Sequence, residues 1–264
     1  MKKCIYLTLM LAFTGLTMLS SANGKVVQAG PKKDSLKTGY RNDDEPKTLK
    51  FAGYTWKIRS KRGGPGPNNW SEKNAFVDKN GFLHLKLTQD TLTHTWDCSE
   101  VIMTEKLGYG TYQWKIDGRI DTLDHNIVFG LFNYSGEDLH DEMDIEFSKW
   151  GHPENDKNLN YTIWPASGVT VPKNVEYAQP FSLSGTYTTH RFKRTEKALT
   201  FTSLNGFQDG DKNIFATKTW EAPKTSISQL EMPVFINLWL FKGKAPVNNK
   251  DVEIVIRDFK FIPL

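Results

Sequence analysis

Cysteine is almost missing from this chain. Of 264 residues only Cys4 and Cys98 carry a thiol, too few for a disulfide framework or a zinc site. No phosphate-binding loop and no dinucleotide-binding glycine fingerprint occurs, so no motif points to nucleotide chemistry. Charge of one sign is also missing. The 34 basic and 30 acidic residues leave a net charge of +4, spread along the chain without the basic block of a nucleic-acid binder; no nucleic-acid partner is expected. Finally, no long segment repeats its apolar residues with a period of 3.6, which excludes a helical bundle. No internal repeat and no second domain is visible.

Aromatic side chains, by contrast, are abundant: 12% of the residues, eight of them Trp. That content suits a sandwich core or a sugar-binding surface. Residues 1–24 read as a signal peptide. Lys2 and Lys3 give a positive start, 4–19 is an apolar run short for a membrane span, and Ser20, Ser21, Ala22, Asn23 and Gly24 offer a small-residue cleavage site. A retained anchor is the alternative. Cys4 lies too early to be a lipid-attachment cysteine. A secreted or periplasmic protein with no membrane span after cleavage is expected. Cys98 then stands alone, with no disulfide, and its place in an alternating run makes it a buried small residue. Residues 25–47 are charged and poor in large apolar residues, a disordered linker that cannot bury enough surface to order itself.

Over 48–264 the pattern is strand after strand: 51–58, 76–78, 82–87, 95–104, 109–116, 127–134, 142–148, 160–164, 187–194, 198–203, 213–220, 233–241 and 252–262, with 63–69 a Gly/Pro loop. This predicts one all-β domain, a jelly-roll sandwich of two antiparallel sheets, and a monomer.

One strand stands out. In the run Asp141, Glu142, Met143, Asp144, Ile145, Glu146, Phe147, alternation sends Glu142, Asp144 and Glu146 to one face and Met143, Ile145 and Phe147 to the other. Like charges on one strand face repel. A solvated acidic edge is the bland account, but the apolar partner face argues for a buried strand. The functional account is a carboxylate site for a glycosidic bond.

At this point the chain resembles the family-16 glycoside hydrolases, whose active-site strand reads Glu-x-Asp-x-Glu. Gly108-Tyr109-Gly110-Thr111-Tyr112, Phe132-Asn133-Tyr134-Ser135-Gly136 and Ile236-Asn237-Leu238-Trp239 resemble further elements of bacterial lichenases and their relatives. The resemblance implies a concanavalin-like β-jelly roll with a sugar cleft across its concave sheet. It implies endo-acting, retaining hydrolysis of a β-linked polysaccharide. Glu142 would be the nucleophile, Glu146 the general acid/base and Asp144 the residue that tunes their protonation. Glu100, Phe132, Tyr134, Asn237 and Trp239 would contact substrate, Trp239 as a stacking platform. Lichenases carry Arg where this chain has Ile102 and Trp where it has His140, and the disulfide partner of Cys98 is missing; the substrate therefore stays open between β-glucans and galactans. Asp258 with the Gly81 carbonyl matches a calcium position of some relatives, but two oxygens do not establish a site; no cofactor is expected.

Retention requires two carboxyl groups roughly 5–5.5 Å apart, and inversion roughly 6.5–9.5 Å. On a flat strand the Cα atoms of Glu142 and Glu146 lie roughly 13 Å apart, so the sheet must curve to bring them together. Two alternatives remain: a non-catalytic carbohydrate-binding sandwich, and a transglycosylase using the same Glu142. Trp70, Trp150 and Trp164 fit packing or binding equally, and His190 reads as structural. The export reading has a direct check: N-terminal sequencing of the exported protein should start at Asn23 or Lys25, and finding Met1 would overturn it.

Overall fold

The computed structural model describes residues 46–169, 174–222 and 226–264. The expected signal peptide at 1–24 and all but the last two residues of the linker at 25–47 lie outside the described residues. Within them run seventeen strands: β1 (Thr48–Phe51), β2 (Tyr54–Ile58), β3 (Lys61–Gly63), β4 (Asn68–Trp70), β5 (Ala75–Val77), β6 (Leu83–Gln89), β7 (Trp96–Met103), β8 (Gly110–Asp117), β9 (Ile127–Tyr134), β10 (Glu142–Phe147), β11 (Leu159–Trp164), β12 (Val175–Gln179), β13 (Tyr187–Arg194), β14 (Ala198–Asn205), β15 (Ile214–Glu221), β16 (Val234–Leu240) and β17 (Val252–Pro263). Only two single turns of 3-10 helix accompany them, and no described helix is long and apolar enough to cross a membrane.

The strands form an all-β jelly-roll sandwich. The front sheet runs β1–β2–β7–β16–β9–β10–β11–β12. The back sheet runs β5–β6–β17–β8–β13–β14–β15. All these pairings are antiparallel; the hairpin β3–β4 adds one parallel pairing, to β7. Strand identity follows from side-chain period. In β6, Leu83, Leu85 and Leu87 are fully buried while His84 and Lys86 are half-exposed, the alternation of a sheet with one wet face. Central β9 is buried on both faces along nearly its whole length.

The expectation of a single strand over 51–58 is corrected. β1 and β2 form a hairpin in which Phe51 pairs with Tyr54. The two turn residues, Ala52 (φ 51°) and Gly53 (φ 83°), both adopt positive φ, the geometry that a tight hairpin demands. Alanine rarely adopts it, so the turn is hidden. The Gly/Pro loop expected at 63–69 narrows to 64–67, the tip of the β3–β4 hairpin, with Gly63, Asn68 and Asn69 in its strands, and β12 is an additional edge strand.

Between the sheets Met143, Ile145 and Phe147 of β10 are fully buried, as are Leu131, Ile236, Trp114, Phe192 and Phe201. Each such side chain contributes roughly 1.5–3 kcal/mol. Cys98 is fully buried, its thiol pushed up to about 12 by desolvation, which makes it inert. His190 is structural. Its Nδ1 lies 2.7 Å from Ser203 Oγ, which lies 2.7 Å from Tyr161 Oη across the sheets. Its ring meets Phe147 in an edge-to-face arrangement. Burial pushes His190 down to about 3, so it stays neutral. Ser203→Ala would strand two buried polar groups. It should destabilise the domain by about 1–3 kcal/mol in urea unfolding; an unchanged midpoint would show that this bridge contributes nothing.

Candidate active site

β10 places its carboxylates by register. Glu142 lies between Tyr134 of β9 and Trp164 of β11, Asp144 between Phe132 and Thr162, and Glu146 between Gly130 and Asn160. On the far side of β9, β16 sets Phe235 beside Phe132, Asn237 beside Gly130 and Trp239 beside Val128. β7 then brings Glu100 opposite Asn237. Directly paired residues share a sheet face. The three carboxylates and all five expected contact residues therefore lie on one face of the front sheet.

That face is walled rather than open. Asp144 is 4% exposed, Glu100 3% and Asn237 4%, while Glu142 and Glu146 are half-buried. Desolvation, opposed by a hydrogen bond from Asp144 and reinforced by the charges of Asp138 and Glu100, pushes Glu142 up to about 8. Desolvation and the charges of Glu142 and Glu176 push Glu146 up to about 8. Asp144, wedged between the two, is held well above the usual carboxylate range by burial and by both neighbours. The Trp164 indole bonds to it and works the other way. Removing carboxylates from water disfavours their charged form, and the three titrate as one cluster. The arrangement therefore retains protons near neutrality.

Each neighbour has a task. Tyr134 Oη donates to Asp138 Oδ1 at 2.6 Å, which fixes the phenol beside Glu142. Asp141, 1% exposed and at positive φ, accepts from the Ser167 backbone N–H at 3.0 Å and from its hydroxyl; this pins the loop that enters β10. Asn160 Nδ2 donates to the carbonyls of Glu146 and Ser148, holding the strand's exit. Gly130 is required by space: a Cβ there would lie 2.6 Å from Asn237 Oδ1.

Trp239 shares the face with Asn237 and is 7% exposed, about as covered as Asn237 at 4%. Trp70 is 2% exposed and packs under Arg59, and Trp150 packs edge-on against Phe241. Trp164 is half-buried beside Glu142. The sequence reading missed Arg59, Gly130, Asn160, Thr162 and Glu176. Alternation from Trp164 would have found Thr162 and Asn160, and alternation from Tyr134 and Phe132 would have put Gly130 on the same face; Arg59 and Glu176 depend on pairing between distant strands. Asp258 is half-buried opposite Lys115 at a bulge in β17, and Gly81 sits in the turn that follows Asp78. Among the described residues no group of three His, Cys, Asp or Glu comes together as a metal cluster.

No protein-family model matches the chain, and no curated protein matches it. Solved structures do. A Bacillus licheniformis β-glucanase matches with 20% identity and a TM-score of 0.58, over 79% of this chain and 92% of that one. A family-16 endo-glucanase from Bacteroides ovatus matches with 15% identity and a TM-score of 0.59, over 78% and 94%. The fold is that of the family-16 glycoside hydrolases. An immunostimulatory antigen and pseudo β-1,3-glucanase of Mycobacterium tuberculosis shares it as well, with 15% identity and a TM-score of 0.57, over 76% and 88%. At these identities the family-16 likeness concerns the fold; activity must be argued from the side chains.

The acid cluster makes stability depend on pH. Glu142 and Glu146 are raised from 4.5 to about 8, so between those values the folded state binds more protons than the unfolded one. Their contribution to stability is then fullest in acid and falls as pH rises through that window. Glu142→Gln removes one of the crowded charges. It should raise stability at pH 8 by roughly 0.5–2 kcal/mol, with the gain gone below the ordinary carboxylate pKa. Thermal melts at both pH values check this; a variant that melts earlier at pH 8 contradicts it.

Proposed function

We propose that this chain is an exported, endo-acting glycoside hydrolase that cleaves a β-linked polysaccharide, of β-glucan or galactan type, with retention. The observation that carries this reading is the row Glu142, Asp144, Glu146 on one walled face, with every member's carboxyl raised. A general acid for glycoside cleavage must hold a proton near neutrality, and Glu146 does. Asp144 is the natural seat of a second proton, because it is the most buried and lies between two other carboxyls. From there it donates to Glu142 and leaves that group the negative charge of a nucleophile.

The reaction then follows in two displacements. Glu146 gives its proton to the glycosidic oxygen as Glu142 attacks the anomeric carbon; the carbon–oxygen bond to the leaving sugar breaks and a glycosyl ester forms. Glu146, now a carboxylate, takes a proton from water. The water oxygen attacks the anomeric carbon and expels Glu142. With a sugar hydroxyl in place of water the same steps give transglycosylation. The names of the B. licheniformis and B. ovatus neighbours favour a β-glucan, and the apolar run at 4–19 favours export. No step needs a metal or cofactor.

The second reading is a carbohydrate-binding sandwich without catalysis, favoured by the pseudo β-1,3-glucanase with the same fold. The two separate cleanly. Incubation with mixed-linkage β-glucan, laminarin and agarose should release reducing ends from at least one, proton NMR of the first product should show the retained anomer, and Glu142→Gln should lower turnover by at least roughly 10³-fold. Binding without release would favour the non-catalytic reading, and an inverted anomer would remove Glu142 as nucleophile.

A further inference from the structure

One rung of the front sheet contains a chain of interactions that ends on an unused acceptor. Across it run Glu100 on β7, Asn237 on β16, Gly130 on β9 and Glu146 on β10. Glu100 Oε1 accepts from Arg59 Nη1 at 2.9 Å, and Glu100 Oε2 accepts from Asn237 Nδ2 at 3.1 Å. The other end of that amide, Oδ1, is buried and has no hydrogen-bond partner. It points into the space over Gly130, where a Cβ would meet it at 2.6 Å, and Glu146 stands on the far side of that glycine. A buried acceptor left empty is costly, so its retention at the site calls for an occupant.

Arg59 is built to stay where it is. Its guanidinium carbon lies 4.4 Å from the centre of the Trp70 ring, its backbone N–H donates to the Glu100 carbonyl at 3.0 Å, and its side chain is 30% exposed against 4% for Glu100. Burial lifts the Glu100 carboxyl and the charge of Arg59 opposes that lift. One Glu100 oxygen accepts from the Arg59 guanidinium, which can only donate, and the other accepts from Asn237 Nδ2; with both oxygens acting as acceptors, Asn237 turns its NH2 inward and its oxygen toward the site. A protonated Glu100 could donate, and the amide could then turn over.

Resting on the hydrolase reading, we propose that Arg59 is a positioning residue that sets the hydrogen-bond polarity of the site beside Glu146. It holds Glu100 as an acceptor, Glu100 fixes the Asn237 amide, and Asn237 Oδ1 then selects a sugar that offers a free hydroxyl at that point. A sugar bearing an O-methyl or O-sulfate group there has no proton to give and is rejected.

The first arm of the test needs no substrate. In 15N-labelled ligand-free protein, the Asn237 side-chain amide, assigned by its loss in Asn237→Asp, should show one downfield, slowly exchanging proton bonded to Glu100. Arg59→Met should abolish that signature and Arg59→Lys should keep it, with Arg59→Gln as the second neutral variant should Arg59→Met fail to fold. The second arm is kinetic, on laminarin and mixed-linkage β-glucan. Arg59→Met should lower kcat/KM roughly ten- to a hundredfold, Arg59→Lys should recover most of it, and adding Glu100→Gln to Arg59→Met should cost little more, because the groups act as one unit. An amide signal identical in wild type and Arg59→Met overturns the proposal. So do losses from Arg59→Met and Glu100→Gln that multiply independently. If the wild type cleaves neither polysaccharide, the hydrolase reading on these β-glucans fails while the amide signature still decides the role of Arg59.

Discussion

The structure depends on the cost of taking three carboxylates out of water on a single strand. Glu142, Asp144 and Glu146 repel one another, and each is partly or wholly shielded from solvent. A strand so loaded would leave the sheet unless something held it. What holds it is its other face: Met143, Ile145 and Phe147 are fully buried between the sheets. Backbone pairing to both β9 and β11 adds the rest. Period-two alternation thus couples the hydrophobic core directly to the acid cluster. Strain of this kind is kept where function uses it, and here it converts ordinary carboxyls into groups that hold protons near neutrality.

The neighbouring strands serve the same constraint from the side. β9 offers Gly130 opposite Glu146, and the missing side chain opens the space that Asn237 faces. β16 and β7 add polar groups that are nearly covered yet hydrogen-bonded, Asn237 to Glu100 and Glu100 to Arg59. Such pairings make buried polar groups tolerable. The site is therefore a sheet face whose order is set by register, and a one-residue slip in any strand would exchange its lining for core residues.

Much of this was readable from the chain because it is local. The alternation in 141–147 and the buried Leu83, Leu85 and Leu87 follow from period alone, and His190 reads as structural in the sequence, while its neutrality comes from its burial. What escaped was non-local. Gly130 looks like any strand glycine until β16 is seen beside it, and Arg59 gains its meaning only from pairing across 41 residues with Glu100. The β1–β2 turn was concealed by Ala52 in a conformation that its residue type seldom takes.

The central claim is that Glu142 becomes covalently bonded to sugar during turnover. Mass spectrometry of protein incubated with a 2-deoxy-2-fluoro oligosaccharide glycoside carrying a good leaving group tests it directly, because such a reagent slows the second displacement more than the first. The account predicts one added glycosyl mass, localised after proteolysis to Glu142 and absent from Glu142→Gln. Turnover of the reagent without any adduct, or an adduct on Asp144 or Glu146, would contradict it.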